Sequence, residues 1–306
     1  MSDQIIGKSF GRYQITARLG EGGMASVYKA YDTRLDRSVA VKIIHPAQQN
    51  EQFLRRFERE GRALAGLNHP NIVQVIDYGD EGGIPYLVMV YEPGGSLKDR
   101  TGSPMPHRQA ARMLIPIARA LGYAHQVNII HRDVKPSNIL LTESDEPMLS
   151  DFGIAKLLED QSATNLTSTG TGIGTPNYMA PEQWEGRVLP QSDIYALGVV
   201  FYELVTGRLP FTGDTPPAVM LKHITGNFPS PKTYVPDLPD EAVRIIYTAL
   251  AKSPQDRFTS MADFAAALEA VANSPTAPAA DMHTQVRVSI PPPAVPAAAP
   301  GTGSDD

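Results

Sequence analysis

The stretch "IIHRDVKPSNILL" (129–141) places His131, Arg132, Asp133, Lys135, Ser137 and Asn138 between apolar flanks. Buried polar groups are costly without partners, so a run like this is held in place to touch something. Asp133 offers a carboxylate able to accept a proton from a hydroxyl. Asn138 offers an amide oxygen, and Lys135 a nearby cation. Ten residues beyond Leu141, "LSDFGIAK" presents Asp151 just before Phe152-Gly153. A carboxylate and an amide oxygen converging from two loops suit Mg²⁺, which takes hard oxygen ligands and keeps bound phosphates.

Two upstream segments extend this phosphate chemistry. In "LGEGGMASVY", Gly20, Gly22 and Gly23 lie between strand-like runs and free the backbone to approach phosphate oxygens. Such a hairpin alone is only a turn, and a strand rather than a helix follows it, which disfavours a dinucleotide-binding motif. In "VAVK", Lys42 sits in an apolar strand. A strand lysine can snorkel its ammonium to water; one that points inward needs an anion, and "FEREG" supplies Glu58 or Glu60.

The elements that must position these groups change character along the chain. From Tyr13 to Tyr91, "YQITARLG", "ASVYKAYD", "SVAVKII", "IVQVIDYG" and "YLVMVYE" read as strands. Within "NEQFLRRFEREGRALAGL", Phe53, Phe57, Leu64 and Leu67 recur at helical spacing. After Pro93-Gly94-Gly95 the chain turns helical: "HRQAARMLIPIARALGYAHQ" with Pro116 expected to kink it or cost a backbone bond, "DIYALGVVFYELVTG" apolar nearly all round, then "DEAVRIIYTALA" and "SMADFAAALEAVA". A sheet-rich part followed by a helical part predicts a cleft between them, a common place for a ligand. From Asn273 onward the Pro/Ala-rich composition predicts a disordered tail.

The 306 residues are 42% hydrophobic with a formal net charge of -6, a globular composition that argues against a general nucleic-acid binder. There are 0 Cys, which excludes disulfides and thiolate metal sites and makes a reducing cytoplasm the expected home. The opening residues lack the apolar core of a signal peptide, and no apolar run reaches the ~18 residues of a membrane span.

Taken in order, Gly20-x-Gly22, Val39-Ala40-Val41-Lys42, His131-Arg132-Asp133 through Asn138, Asp151-Phe152-Gly153 and Ala180-Pro181-Glu182 match the protein-kinase signature set. Over roughly residues 10–272 the sequence resembles the protein serine/threonine kinase family, and "GGMASVYKA", "LNHPNIV" and "SPQDRF" look most like its bacterial, eukaryotic-type (Hanks-type) branch. The resemblance implies an α+β, bilobal protein-kinase-like fold. It would comprise a small β-rich N-lobe (1–91), a larger helical C-lobe (92–272) and a disordered tail (273–306).

It further implies ATP and Mg²⁺ as cofactors. Leu19, Gly20, Glu21, Gly22, Gly23, Val27, Ala40, Met89 and Tyr91 would line the nucleotide site, with Met89 as gatekeeper. Lys42, held by Glu60 on the family register, would bind the α/β phosphates; Asn138 and Asp151 would hold the metal. Asp133 would be the base and Lys135 its catalytic neighbour, in the serine/threonine pattern that Thr175 also matches. Asp193 would brace the catalytic loop, and Arg257 would pair with Glu182. His69, His125 and His131 are expected to be structural. Ala25 stands where the family has its third loop glycine.

Protein substrates are the implied partners. Arg132 before the base, together with the Ser/Thr-rich "LEDQSATNLTSTGTGIGTP", implies activation by phosphate on Thr167 or Thr169, with Ser168 and Thr171 in reserve. Transfer would run between two molecules in a transient homodimer, with no nucleic acid and no membrane involved. A kinase-like scaffold without turnover is disfavoured by the presence of Lys42, Asp133 and Asp151. A small-molecule phosphotransferase is disfavoured by the complete segment from Asp151 to Glu182.

Overall fold

A computed structural model describes residues 5–23, 25–45, 51–152 and 176–274. The chain divides into a compact unit, Met1–Asn273, and a second, Ser274–Asp306. Apart from Asn273, which ends the last helix, and Ser274, the expected tail lies outside the described residues.

The N-terminal part is a six-stranded antiparallel sheet: β1 (Ser9–Phe10), β2 (Tyr13–Glu21), β3 (Ala25–Asp32), β4 (Arg37–Ile44), β5 (Val75–Glu81) and β6 (Ile84–Val90), in spatial order β1-β2-β3-β4-β6-β5. The near-continuous apolar text of β4 follows from its central place, because both faces are covered. Val39, Val41 and Ile43 join Phe10, Tyr13, Ile15, Tyr28 and Val88 in one apolar cluster. Ala40 and Ile44 face the other way, into the main core. Lys42 lies between them in the alternation and therefore points inward. Helix α1 (Glu51–Ala65) buries Phe57 and Leu64 and packs against β5 and β6.

The helical part comprises α2 (His107–Gln126), α3 (Pro190–Thr206), α4 (Pro216–Thr225), α5 (Asp240–Ala249) and α6 (Met261–Asn273), with a small hairpin of β7 (Ile139–Leu141) and β8 (Pro147–Leu149). Helix α2 runs unbroken through Pro116, so the expected cost reduces to one missing backbone donor. Helix α3 is buried from Ser192 to Thr206, as its apolar circumference requires. Gly198 lets α5 approach: a Cβ there would lie 2.6 Å from Ala249 Cβ and 2.7 Å from Leu250 Cδ1.

Beside α3, buried His223 on α4 bonds Tyr195 Oη through Nδ1 at 2.8 Å, faces the Phe211 ring and lies near Lys252. Burial, then the Lys252 charge, push its pKa down to about 4. The unfolded chain binds this proton near the ordinary value of ~6.5. Stability is therefore full above that value and falls as pH drops toward 4. Between pH 7 and 5 this group should remove about 2 kcal/mol, read as a shift in urea midpoint. In His223→Gln, which can still bond Tyr195 but does not titrate, that part of the pH dependence should vanish.

Candidate active site

The loop from His131 to Asn138 is suspended from α3. Asp193, buried in the first turn of that helix, accepts the backbone N–H of His131 (2.9 Å) and of Arg132 (2.9 Å), and its Oδ2 lies 2.8 Å from His125 Nε2. This is the bracing expected from the sequence. It supports a strained position, because Arg132 sits at φ 69°, a region L side chains seldom adopt. Gln183 grips the other side of that residue, donating Nε2–H to the Arg132 carbonyl at 3.1 Å.

The three histidines are structural, as expected. His131 accepts the Asp133 N–H on Nδ1 (3.3 Å) and donates from Nε2 to the Ser150 carbonyl (2.8 Å), which makes the ring neutral. Burial pushes its pKa down in the same sense. His69 Nδ1 accepts the Asn71 N–H at 3.1 Å.

These bonds converge on Asp133. Its Oδ2 accepts from Lys135 Nζ at 2.7 Å and from Asn138 Nδ2 at 3.1 Å. Asn138 Nδ2 also donates to the Asp133 carbonyl at 2.8 Å. The amide nitrogen is thus committed to Asp133, which leaves Oδ1 as the atom suited to a cation. The β7–β8 hairpin pairs Ile139 with Leu149, so Asn138 and Ser150-Asp151 lie at the same end. Ser150 seals that end, donating its N–H and its hydroxyl to the Asn138 carbonyl at 2.8 and 3.1 Å.

Asp151, at φ 59°, reaches Lys42: Nζ to Oδ1 is 2.8 Å. The expected Lys42–Glu60 pair is therefore corrected. Glu60 Oε1 instead takes Arg59 Nε and Nη2 at 3.1 and 2.9 Å. The backbone turn at Asp151 brings a carboxylate to the inward ammonium from the other side of the cleft. Glu60 is satisfied by its sequence neighbour.

Above the loop, Gly20 pairs with Val27 and Glu21 with Ser26, and the Gly22 N–H closes the turn on the Ala25 carbonyl at 2.9 Å. Ala40 is directly opposite Met89, and Val27 opposite Lys42. Tyr91 follows β6 with Lys29 Nζ 4.5 Å over its ring, while Leu19 is exposed. Behind Met89 a small cavity is lined by Leu64, Val75, Leu87, Asp151 and Phe152. Among the described residues no cluster of three or more His, Cys, Asp and Glu forms a metal site. The Asp151 carboxylate and the Asn138 amide oxygen are the donor types that would suit a hard cation drawing its other ligands from water and phosphate.

Downstream, Glu182 and Arg257 form the expected buried pair in a two-pronged geometry, Nη1–Oε1 2.7 Å and Nη2–Oε2 2.8 Å, with Ser192 Oγ donating to Oε1 at 2.6 Å. Burial pushes Glu182 up, but the Arg257 and Ser192 hydrogen bonds outweigh it and hold its pKa below the ordinary carboxylate value. Gly153, Thr167, Thr169, Ser168, Thr171 and Thr175 lie outside the described residues. Ser150 and Gln183 were not anticipated: each acts through backbone carbonyls, and neither residue type carries a signal in isolation.

A β-rich N-terminal sheet, a helical C-terminal part and this loop arrangement constitute the protein kinase fold. The crystal structure of the Mycobacterium tuberculosis PknI kinase domain superposes with a TM-score of 0.67 at 31% identity, covering 87% of this chain and 98% of that one. The family model for the protein kinase domain matches residues 13–271, and the chain belongs to that family, in its bacterial serine/threonine branch. Serine/threonine-protein kinase PrkC of Bacillus subtilis is 42% identical over 267 residues, 86% of this chain and 41% of PrkC. Serine/threonine-protein kinase PknL of Mycobacterium tuberculosis is 38% identical over 265 residues, 85% of this chain and 66% of PknL. The chain thus spans about two-fifths of the length of the first of these relatives.

Proposed function

We propose that the protein is an ATP- and Mg²⁺-dependent protein serine/threonine kinase that transfers the γ-phosphoryl group to Ser/Thr hydroxyls of proteins. The observation that carries this reading is the Asp133–Lys135–Asn138 cluster, with both nitrogens within 3.1 Å of one carboxylate oxygen. Asp133 orients the substrate hydroxyl and accepts its proton. Lys135, 2.7 Å away, offsets the charge that develops on the transferring group. Lys42 directs its ammonium to the α/β phosphates, under the turn at Gly20, Gly22 and Gly23. Leu19, Glu21, Val27, Ala40, Met89 and Tyr91 enclose the nucleotide. Bound Mg²⁺, held by Asn138 and Asp151, would neutralise phosphate charge. Residues 1–91 and 92–272 are taken as the two lobes flanking this cleft. Incubation with labelled ATP and Mg²⁺, with and without a generic protein acceptor, tests the reading; no transfer by purified wild type would reject it.

Thr167 and Thr169 are taken as sites of transfer between two molecules, supported by the Ser/Thr-rich segment and by Arg132 beside the base. Mass spectrometry should find phosphate there in wild type and none in Asp133→Asn. Mixing that inactive protein with active enzyme should restore the mark. Full activity on a protein acceptor in the Thr167→Ala/Thr169→Ala double variant would remove the switch from this segment. With 0 Cys, a reducing cytoplasm is the assigned compartment. Among the described residues no helix is long and apolar enough to cross a membrane.

A further inference from the structure

The turn that joins β2 to β3 is tied down by a residue outside every motif above. His45 follows the last residue of β4, three positions beyond Lys42. Its Nδ1 lies 3.3 Å from the Gly23 carbonyl and its Nε2 lies 2.9 Å from Ser26 Oγ. A carbonyl can only accept, so Nδ1 carries a proton; in the neutral ring Nε2 is then the acceptor and the Ser26 hydroxyl donates to it. Both ring nitrogens are used, one on Gly23 within the turn that Gly22 closes on Ala25 and one on Ser26 just beyond it.

The register shows from which side the ring acts. Ser26 is opposite Ile43, whereas Val27 is opposite Lys42. Neighbours along a strand alternate faces, so Ser26 and His45 lie on the face away from Val27, Lys42 and the cleft. Ser26 is buried there, beside the apolar cluster that includes Ile43. Gly22 and Gly23 otherwise give this segment a large conformational freedom that must be given up when a phosphate is gripped.

We infer that His45 is a positioning residue for the phosphate-binding turn, bracing it onto the strand that carries Lys42 without touching nucleotide. The inference rests on the nucleotide-binding reading above. A brace that pre-orders the turn lowers the entropic cost of binding and leaves the chemistry at Asp133 alone. It should therefore act on nucleotide affinity rather than on turnover.

The test uses the full chain as wild type, His45→Ala, His45→Asn and Ser26→Ala. Each is assayed for Mg-ATP Kd by equilibrium titration, for KM and kcat with a generic protein acceptor, and for Tm. His45→Ala should raise Kd and the KM for ATP about five- to tenfold, with kcat within about twofold, as loss of one or two hydrogen bonds implies. Ser26→Ala should give a smaller rise. In His45→Asn the side-chain amide nitrogen takes the place of Nδ1, so most of the affinity should return. A wild-type Kd in His45→Ala overturns the inference. So does a joint fall of kcat and Tm that His45→Asn does not rescue, because that marks a merely structural role. Failure of the wild type itself to bind Mg-ATP overturns the nucleotide reading and the inference with it, and is recognised in the wild-type arm alone.

Discussion

Purified Asp133→Asn protein is expected to bind Mg-ATP with near wild-type affinity and to transfer phosphate at least about 10²–10⁴-fold more slowly. The substitution keeps the shape of the side chain and removes its capacity to take a proton. It also removes the anion opposite Lys135, whose ammonium lies 2.7 Å from Oδ2. The surrounding loop should survive, because its suspension comes from Asp193, Gln183 and Ser150 rather than from Asp133. Single-turnover transfer and equilibrium nucleotide binding, measured on the same preparation, separate the two effects. Turnover near the wild-type rate would refute the assignment of the base.

The second large effect is on stability. Arg257→Ala should lower unfolding free energy by about 3–5 kcal/mol, because it strands a carboxylate that is out of contact with water. The Arg257 side chain is 0% exposed and that of Glu182 2%. The guanidinium also donates to the carbonyls of Ala251, Gln191 and Lys252 and covers the Tyr195 ring at 4.8 Å. Truncation thus leaves several acceptors unmet as well as the charge. Replacing both partners together, as Glu182→Gln/Arg257→Met, should cost less than the single change. Because the folded pKa of Glu182 is lowered, its contribution is complete above the ordinary carboxylate value of ~4.3 and is lost as pH falls through the folded one. Urea midpoints at pH 7 for the single and double variants decide the matter; a loss under about 1 kcal/mol in Arg257→Ala would show the pair to be dispensable.

Much of the fold was legible because period and punctuation agreed. "ASVYKAYD" coincides with β3 and "HRQAARMLIPIARALGYAHQ" with α2, residue for residue. "IVQVIDYG" did not coincide with β5, which begins at Val75. Ile72 and Val73 look like strand residues because they are buried, but they pair with Leu149 of the small hairpin. Helix α4 was missed although its start was written plainly: Thr215 caps Ala218 N–H, and Pro216 occupies the first turn. Its apolar stripe was too short to register as periodic.

In the proposed site, Asp133, Asn138, Asp151 and Lys42 are the residues that motif spacing singles out. The partner of Lys42 did not. Glu60 and Asp151 are both carboxylates within plausible reach, and the choice depends on the left-handed backbone at Asp151, which local residue types do not encode. His45 and Gln183 escaped for a related reason. Their bonds run to main-chain carbonyls, and a carbonyl is present at every position.

The two ion pairs of the cleft have a consequence for what it admits. Asp151 is matched by Lys42 at 2.8 Å and Asp133 by Lys135 at 2.7 Å, so each fixed anion there already has its counter-cation. A bare polyanion would gain the lysines only by stranding the aspartates, and a bare divalent cation would gain an aspartate only by stranding a lysine. A metal–polyphosphate complex can exchange partners with both at once, its cation taking the carboxylate as its anion takes the ammonium. On the nucleotide-binding reading proposed above, the pocket would act as a salt-exchanger, taking the metal–polyphosphate complex in preference to either of its ions.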